Sequence, residues 1–227
     1  MSRLEPWWAR AVRWAVLTIL AMRLTSATTP ARADVYDIAV DYVVAIHDKK
    51  TACNPCITRA RAREYVTAIR DAATEFDVPF DVAFGHIGWE SAGFQNTIDK
   101  TGSGTIELAP KKWCFGMGKL KVTTARDIHD ALKDGPSPPS GHDLLYDYQR
   151  NIRYSVYYLK WCLRLHKGHT MRALNTYKAG PAGERRGHYI MRITMPWGDV
   201  VKKTYAECVI DYSIHPWLSY LKTRRGE

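Results

Sequence analysis

Beyond residue 34 the apolar positions recur every three to four residues through most of the chain, the spacing of amphipathic helices rather than the alternation of strands. The first such stretch is "VYDIAVDYVVAIH" (35–47), followed by the polar loop "DKKTACNPC". Thr58 is placed to cap the next, "RARAREYVTAIRDAATEF", in which Tyr65, Ile69, Ala72 and Phe76 share a face. Pro79 suits the first turn of a third helix, expected to reach about Ala92 and to carry Glu90 near its C-terminal end. Residues 93–119 lose the period; rich in Gly, Thr and Lys, they read as loop with a small β-hairpin at "TIEL" (105–108). Thr123 or Thr124 can cap "ARDIHDALKD", and "GPSPPSG" (135–141) ends it. A long helix, "DLLYDYQRNIRYSVYYLKWCLRLHKG", comes next, with Ile152, Tyr158 or Leu159, Cys162 and Leu165 on its buried face. "MRALNTYKAGP" is a shorter helix stopped by Gly180 and Pro181, and residues 184–223 predict one or two more. The pattern predicts a single, mostly α domain over 34–227, with a small β-hairpin around residues 95–120.

The first 33 residues follow a different pattern. Arg3, Arg10 and Arg13 precede the apolar run "WAVLTILAM" (14–22), and "ARA" (31–33) supplies small residues at a cleavage point, the order of a secretory signal peptide. The run is shorter than the roughly 20 apolar residues that span a bilayer, and Arg23 interrupts it. An uncleaved anchor or a buried helix is the alternative. No second apolar span follows, so the expectation is an exported protein, periplasmic or secreted, with no membrane span once the leader is removed.

Of 227 residues 46% are hydrophobic and 25% charged, which excludes a disordered chain and suffices for one buried core. The net charge of +10 includes five arginines and one glutamate from residues 1–33, leaving +6 for the rest. A basic exported chain suits anionic wall polymers, and export argues against nucleic acid as the partner. Cys53, Cys56, Cys114, Cys162 and Cys208 allow one or two disulfides with one thiol left over, and connectivity stays open. "CNPC" has no second paired motif, and the eight histidines show no ligand spacing, so neither a metal nor a cofactor is implied.

The candidate chemistry sits at "GWESAGF" (88–94), where Glu90 ends an apolar stretch. Burying a carboxylate is costly unless it is paired or takes up a proton, so the position asks for a role. Four segments in order surround it: "VAFGHIGWESAGF", "FGMGKLKVTTAR", "NIRYSVYYL" and "ALNTYKAGP". Together, over about 58–195, they resemble the soluble lytic transglycosylase family of the lysozyme superfamily, of the kind associated with phages and with secretion or conjugation systems. The resemblance implies a lysozyme-like α fold that binds peptidoglycan glycan strands, with a secretion-system or envelope partner as the expected company. By matching position it implies Glu90 as the catalytic acid and base, Ser91 orienting the sugar or the glutamate, Gly116 and Met117 lining the floor, and Tyr177 beside the carboxyl. Lys119 stands where the family has glutamine, and Lys178 where it has asparagine. A lysine there favours ionised Glu90, unhelpful for an acid, or pairs with a peptide-stem carboxylate of the substrate.

Glycoside cleavage needs a proton for the leaving oxygen and stabilisation of an oxocarbenium-like sugar. A glutamate in an apolar pocket can stay protonated near neutrality, as in lysozyme where its pKa is roughly 6. Phe84, Ile87, Trp89 and Phe94 are candidate walls, with ordinary core as their alternative fate. Hydrolysis calls for a second carboxylate, and Asp99 and Glu107 are the nearest downstream. The family's route needs one: the same glutamate protonates the leaving oxygen and then deprotonates the 6-hydroxyl of N-acetylmuramic acid, giving a 1,6-anhydro end. A lysozyme-type hydrolase and a wall-binding protein without turnover are the competing expectations.

Overall fold

Helix α1 (Val35–Thr51) opens the architecture, and its Tyr42 meets the far end of the chain. The computed structural model of the protein describes residues 34–51, 57–95, 98–99, 114–185, 190–194 and 200–227. Residues 1–33, where a signal peptide was expected, Cys53, Cys56 and "TIEL" with Glu107 lie outside them. Thr58 caps α2 (Arg59–Glu75) by accepting from the Arg61 amide, as its sequence predicts. After Pro79 comes α3 (Phe80–Glu90), apolar on nearly every side and packed against α2, the helices Tyr148–Leu165, Tyr205–Val209 and His215–Arg225, and the π-helical turn Ile210–Ile214.

A three-stranded antiparallel sheet follows: β1 (Ile98–Asp99), β2 (Cys114–Phe115) and β3 (Leu120–Lys121), with Ile98 opposite Phe115 and Cys114 opposite Lys121. It falls where the small hairpin was expected. Helix α4 (Val122–Leu132) starts directly from β3. Thr123 and Thr124 therefore lie inside it, and Lys121 occupies the N-cap without a side-chain bond.

The long helix expected over 143–168 is two helices. Ser140 and Asp143 close a capping box on α5 (Gly141–Tyr146), and Asp147 then leaves helical geometry at φ −89°, ψ 79°. Its carboxylate accepts from the Arg150 amide, so it starts α6 (Tyr148–Leu165). Ile152, Leu159 and Cys162 are fully buried, whereas Leu165 is 49% exposed and does not belong to the buried face. Helix α7 (Thr170–Arg185) is broken at Gly180, φ 68°, just before Pro181.

The largest departure lies beyond 184. Residues expected to be helical form an antiparallel hairpin, β4 (Ile190–Thr194) with β5 (Val200–Thr204), Ile190 opposite Thr204. Helix α8 (Tyr205–Val209), the π-helical turn Ile210–Ile214 and α9 (His215–Arg225) complete the chain. Trp217 of α9 is fully buried against Tyr42, Phe80 and Phe84, with ring centroids 5.4, 6.4 and 4.9 Å away. Its indole N–H donates to Asp81 Oδ1 at 2.6 Å, which satisfies the buried polar atom.

Val35–Glu227 forms one compact unit, mostly α with two small antiparallel sheets. Among the described residues no helix is long and apolar enough to cross a membrane. Cys162 and Cys208 are buried, unbridged thiols, so at most one disulfide remains for the other three cysteines, and the two-bridge expectation falls. Burial pushes both thiols up, which keeps them protonated and unreactive.

Candidate active site

Glu90 is the last residue of α3, and the chain turns sharply behind it. Ala92, Gly93 and Phe94 all have positive φ, 52°, 97° and 66°. Ser91 holds that turn: its hydroxyl donates to the Ile87 carbonyl at 2.6 Å and accepts from the Phe94 amide at 2.8 Å. Ser91 is fully buried, and its hydroxyl is engaged with backbone on both sides of the turn.

The Glu90 side chain is 5% exposed. Tyr205 donates a short hydrogen bond to its Oε1, and Lys178 Nζ lies 4.0 Å from the same oxygen while sitting over the Tyr205 ring. Tyr205 is fully buried as the first residue of α8. A capping box between Thr204 and Glu207 starts that helix, and Asn175 Oδ1 of α7 accepts the Ala206 amide at 2.9 Å. Burial and the nearby Glu90 carboxylate push the Tyr205 hydroxyl well above its ordinary range, so it remains a hydrogen-bond donor.

Behind Tyr205 lies His86, fully buried one helical turn before Glu90, with Nδ1 3.2 Å from the Tyr205 hydroxyl. The hydroxyl has one proton and gives it to Glu90, so the histidine proton belongs on Nδ1, donated to the tyrosine oxygen. Nε2 is buried with no hydrogen-bond partner among the described residues. Burial, aided by the Lys178 charge, pushes the imidazole down to about 3. Above pH ~6.5 the imidazole is neutral folded or unfolded; below it the unfolded chain takes a proton that the fold refuses, so stability drains away as pH falls towards about 3. His86→Leu is therefore expected to gain on wild type by up to ~1.4 kcal/mol per pH unit between about pH 6 and 4, read by denaturant unfolding at each pH. A difference independent of pH would contradict the neutral buried imidazole.

The turn "GMGK" forms the opposite wall. Asn151 of α6, fully buried, clamps it: its Oδ1 accepts from the Gly118 amide at 2.8 Å and its Nδ2 donates to the Phe115 carbonyl at 2.9 Å. Gly116 has φ 72°, and a Cβ on Gly118 would fall 1.6 Å from the Ser155 hydroxyl, so glycine is required at both positions. Tyr177 donates from its hydroxyl to the Gly118 carbonyl at 2.8 Å and stacks its ring edge-on to His86, 4.1 Å away. Gly116 and Met117 are buried beneath this turn, Met117 fully, and neither lines the open cleft.

The cleft itself, about 360 Å³, is lined by Glu90, Lys119, Lys121, Tyr158, Tyr177 and Lys178, among others. Of the expected site residues it brings together Glu90, Lys119 and Tyr177; Ser91, Gly116 and Met117 support it from behind. Phe84, Ile87 and Phe94 belong to the core, and half-buried Trp89 stacks on Tyr212. The residues around the carboxyl are instead Tyr205, His86 and Lys178. Tyr205 and His86 escaped the sequence reading, although "TYAE" carries the spacing of a capping box and so marks where α8 begins. A larger hollow of about 490 Å³ lies between α2 and α6, but its acids are surface groups and Glu75 is taken by Arg153 at 2.7 Å.

No family model and no curated protein matches the chain. Among solved structures it is similar to an inactive mutant of the lytic transglycosylase Slt from Pseudomonas aeruginosa, at 17% identity and a TM-score of 0.49, over 88% of this chain and 31% of that one. The chain thus spans about a third of the length of that protein.

Proposed function

We propose that the chain is a peptidoglycan lytic transglycosylase of lysozyme-like fold, acting outside the cytoplasm, with Glu90 as both acid and base. The observation that carries this is the Glu90 carboxyl itself: 5% exposed, held by Tyr205, and the one carboxyl group among the described residues lining the cleft. Protonated Glu90 gives its proton to the glycosidic oxygen as the C1–O bond breaks, and the leaving sugar departs as an alcohol. The resulting carboxylate faces the oxocarbenium-like sugar and takes the proton from its 6-hydroxyl. O6 closes on C1 as that proton leaves, giving the 1,6-anhydro end and returning Glu90 to its starting form. One carboxyl suffices because no water needs activating, in contrast to the paired carboxylates of hydrolysis. Tyr205 keeps the carboxyl pointed at the cleft through both steps.

A second reading, wall binding without turnover, is favoured by Lys178. An ammonium 4.0 Å from Glu90 supports the charged form, which cannot donate. Purified sacculi separate the two. Under the proposal the protein releases soluble glycan fragments in proportion to time; firm sedimentation with sacculi and no release supports the binding reading.

A further inference from the structure

A chain of three side chains leads from the core to the carboxyl. His86 Nδ1 lies 3.2 Å from the Tyr205 hydroxyl, and that hydroxyl bonds Glu90 Oε1. The Tyr177 ring wedges the imidazole edge-on, 4.1 Å away, while the Tyr177 hydroxyl is itself committed to the Gly118 carbonyl. Facing the imidazole are therefore Tyr205 from α8 and Tyr177 from α7, with the Lys178 charge of α7 close enough to act on it and Glu90 one turn along its own helix. Burial and that charge push the imidazole down to about 3, so near neutrality it carries a single ring proton.

The direction of this chain matters once Glu90 is protonated, because two arrangements then compete. In one, Tyr205 still donates to Oε1 and the acid proton rides on Oε2. In the other, Glu90 donates to the tyrosine oxygen, Tyr205 donates to Nδ1, and the proton is tied up away from the substrate. The second arrangement needs a bare Nδ1 and so a proton on Nε2. There it would be a buried donor with no acceptor among the described residues, whereas on Nδ1 it has the tyrosine oxygen. Resting on the transglycosylase reading, we infer that His86 is a positioning residue: its Nδ1–H, given to the Tyr205 oxygen, fixes the direction of the His86–Tyr205–Glu90 chain and leaves on Oε2 the proton that Glu90 passes to the glycosidic oxygen. His86 is fully buried and acts only through Tyr205.

NMR of the wild-type protein carrying nitrogen-15 histidine reads the tautomer without any turnover. Nδ1 protonated and Nε2 bare is the expected result at neutral pH, and a protonated Nε2 overturns the inference. Kinetics on soluble peptidoglycan strands read what the tautomer does. His86→Leu is expected to lower kcat about tenfold, the worth of one buried hydrogen bond, with KM unchanged. The alkaline limb of its kcat profile should move to higher pH, because a tyrosine no longer polarised by the imidazole is a weaker donor to the Glu90 carboxylate. In a Tyr205→Phe background, where the chain is already cut, the same substitution should cost nothing further. An equal loss in both backgrounds, or a limb that stays in place, would assign His86 to packing and overturn the inference. If His86→Leu does not fold, the tautomer of the wild-type protein still decides. A wild-type protein with Nδ1 protonated that cuts no glycan would sustain the direction of the chain while removing the transglycosylase reading.

Discussion

Glu90→Gln is expected to slow release of glycan fragments by at least ~10³-fold while leaving the protein folded, because one group supplies both proton transfers and each is worth about 10²–10⁴. Glutamine keeps the shape, and its amide oxygen can still accept from Tyr205. It cannot give up or take back the proton. Stability should change little, since glutamine matches the size of this nearly buried side chain and keeps the acceptor for Tyr205. Activity on sacculi together with a thermal melt checks both halves. Retained turnover would move the acid elsewhere, and a collapsed melt would mean that the carboxylate is structural.

Asn151→Leu carries the largest expected cost in stability. The side chain is fully buried and satisfies two backbone groups, the Gly118 amide and the Phe115 carbonyl. Leucine keeps its branched shape but leaves both groups without a partner, at about 1–3 kcal/mol each, or roughly 2–6 kcal/mol in total. Since the clamp also sets the wall bearing Lys119, turnover should fall even at temperatures where the variant is folded. Urea unfolding gives the first number and fragment release the second. A loss below about 1 kcal/mol would show that the turn holds its shape without the amide.

Helical periodicity made most of the fold legible, and the reasons for its failures are physical. The break at Asp147 is a matter of one side chain capping the following turn, which leaves the apolar spacing on either side intact. The β4–β5 hairpin was hidden because its strands lack a clean apolar alternation: Ile190 and Val200 are 56% and 60% exposed, and Lys202 and Lys203 sit mid-strand. Glu90 was legible because an acid closing an apolar helix is costly without a role. Its partner was not, since Tyr205 lies 115 residues further on and arrives only by the packing of α8 on α3 and α7. Ser91, Gly116 and Met117 illustrate a related limit. A motif places residues in a neighbourhood, whereas burial decides what reaches the cleft: Ser91 and Met117 are fully buried, Gly116 has no side chain, and none of the three lines it.

In the proposed reaction one carboxyl passes a proton out and back with no water entering the bond. Digestion of purified peptidoglycan in oxygen-18 water, followed by mass spectrometry of the new glycan ends, tests this directly. Unlabelled ends, lighter by one water than a reducing sugar, are the predicted result; reducing ends carrying the heavy oxygen would contradict it.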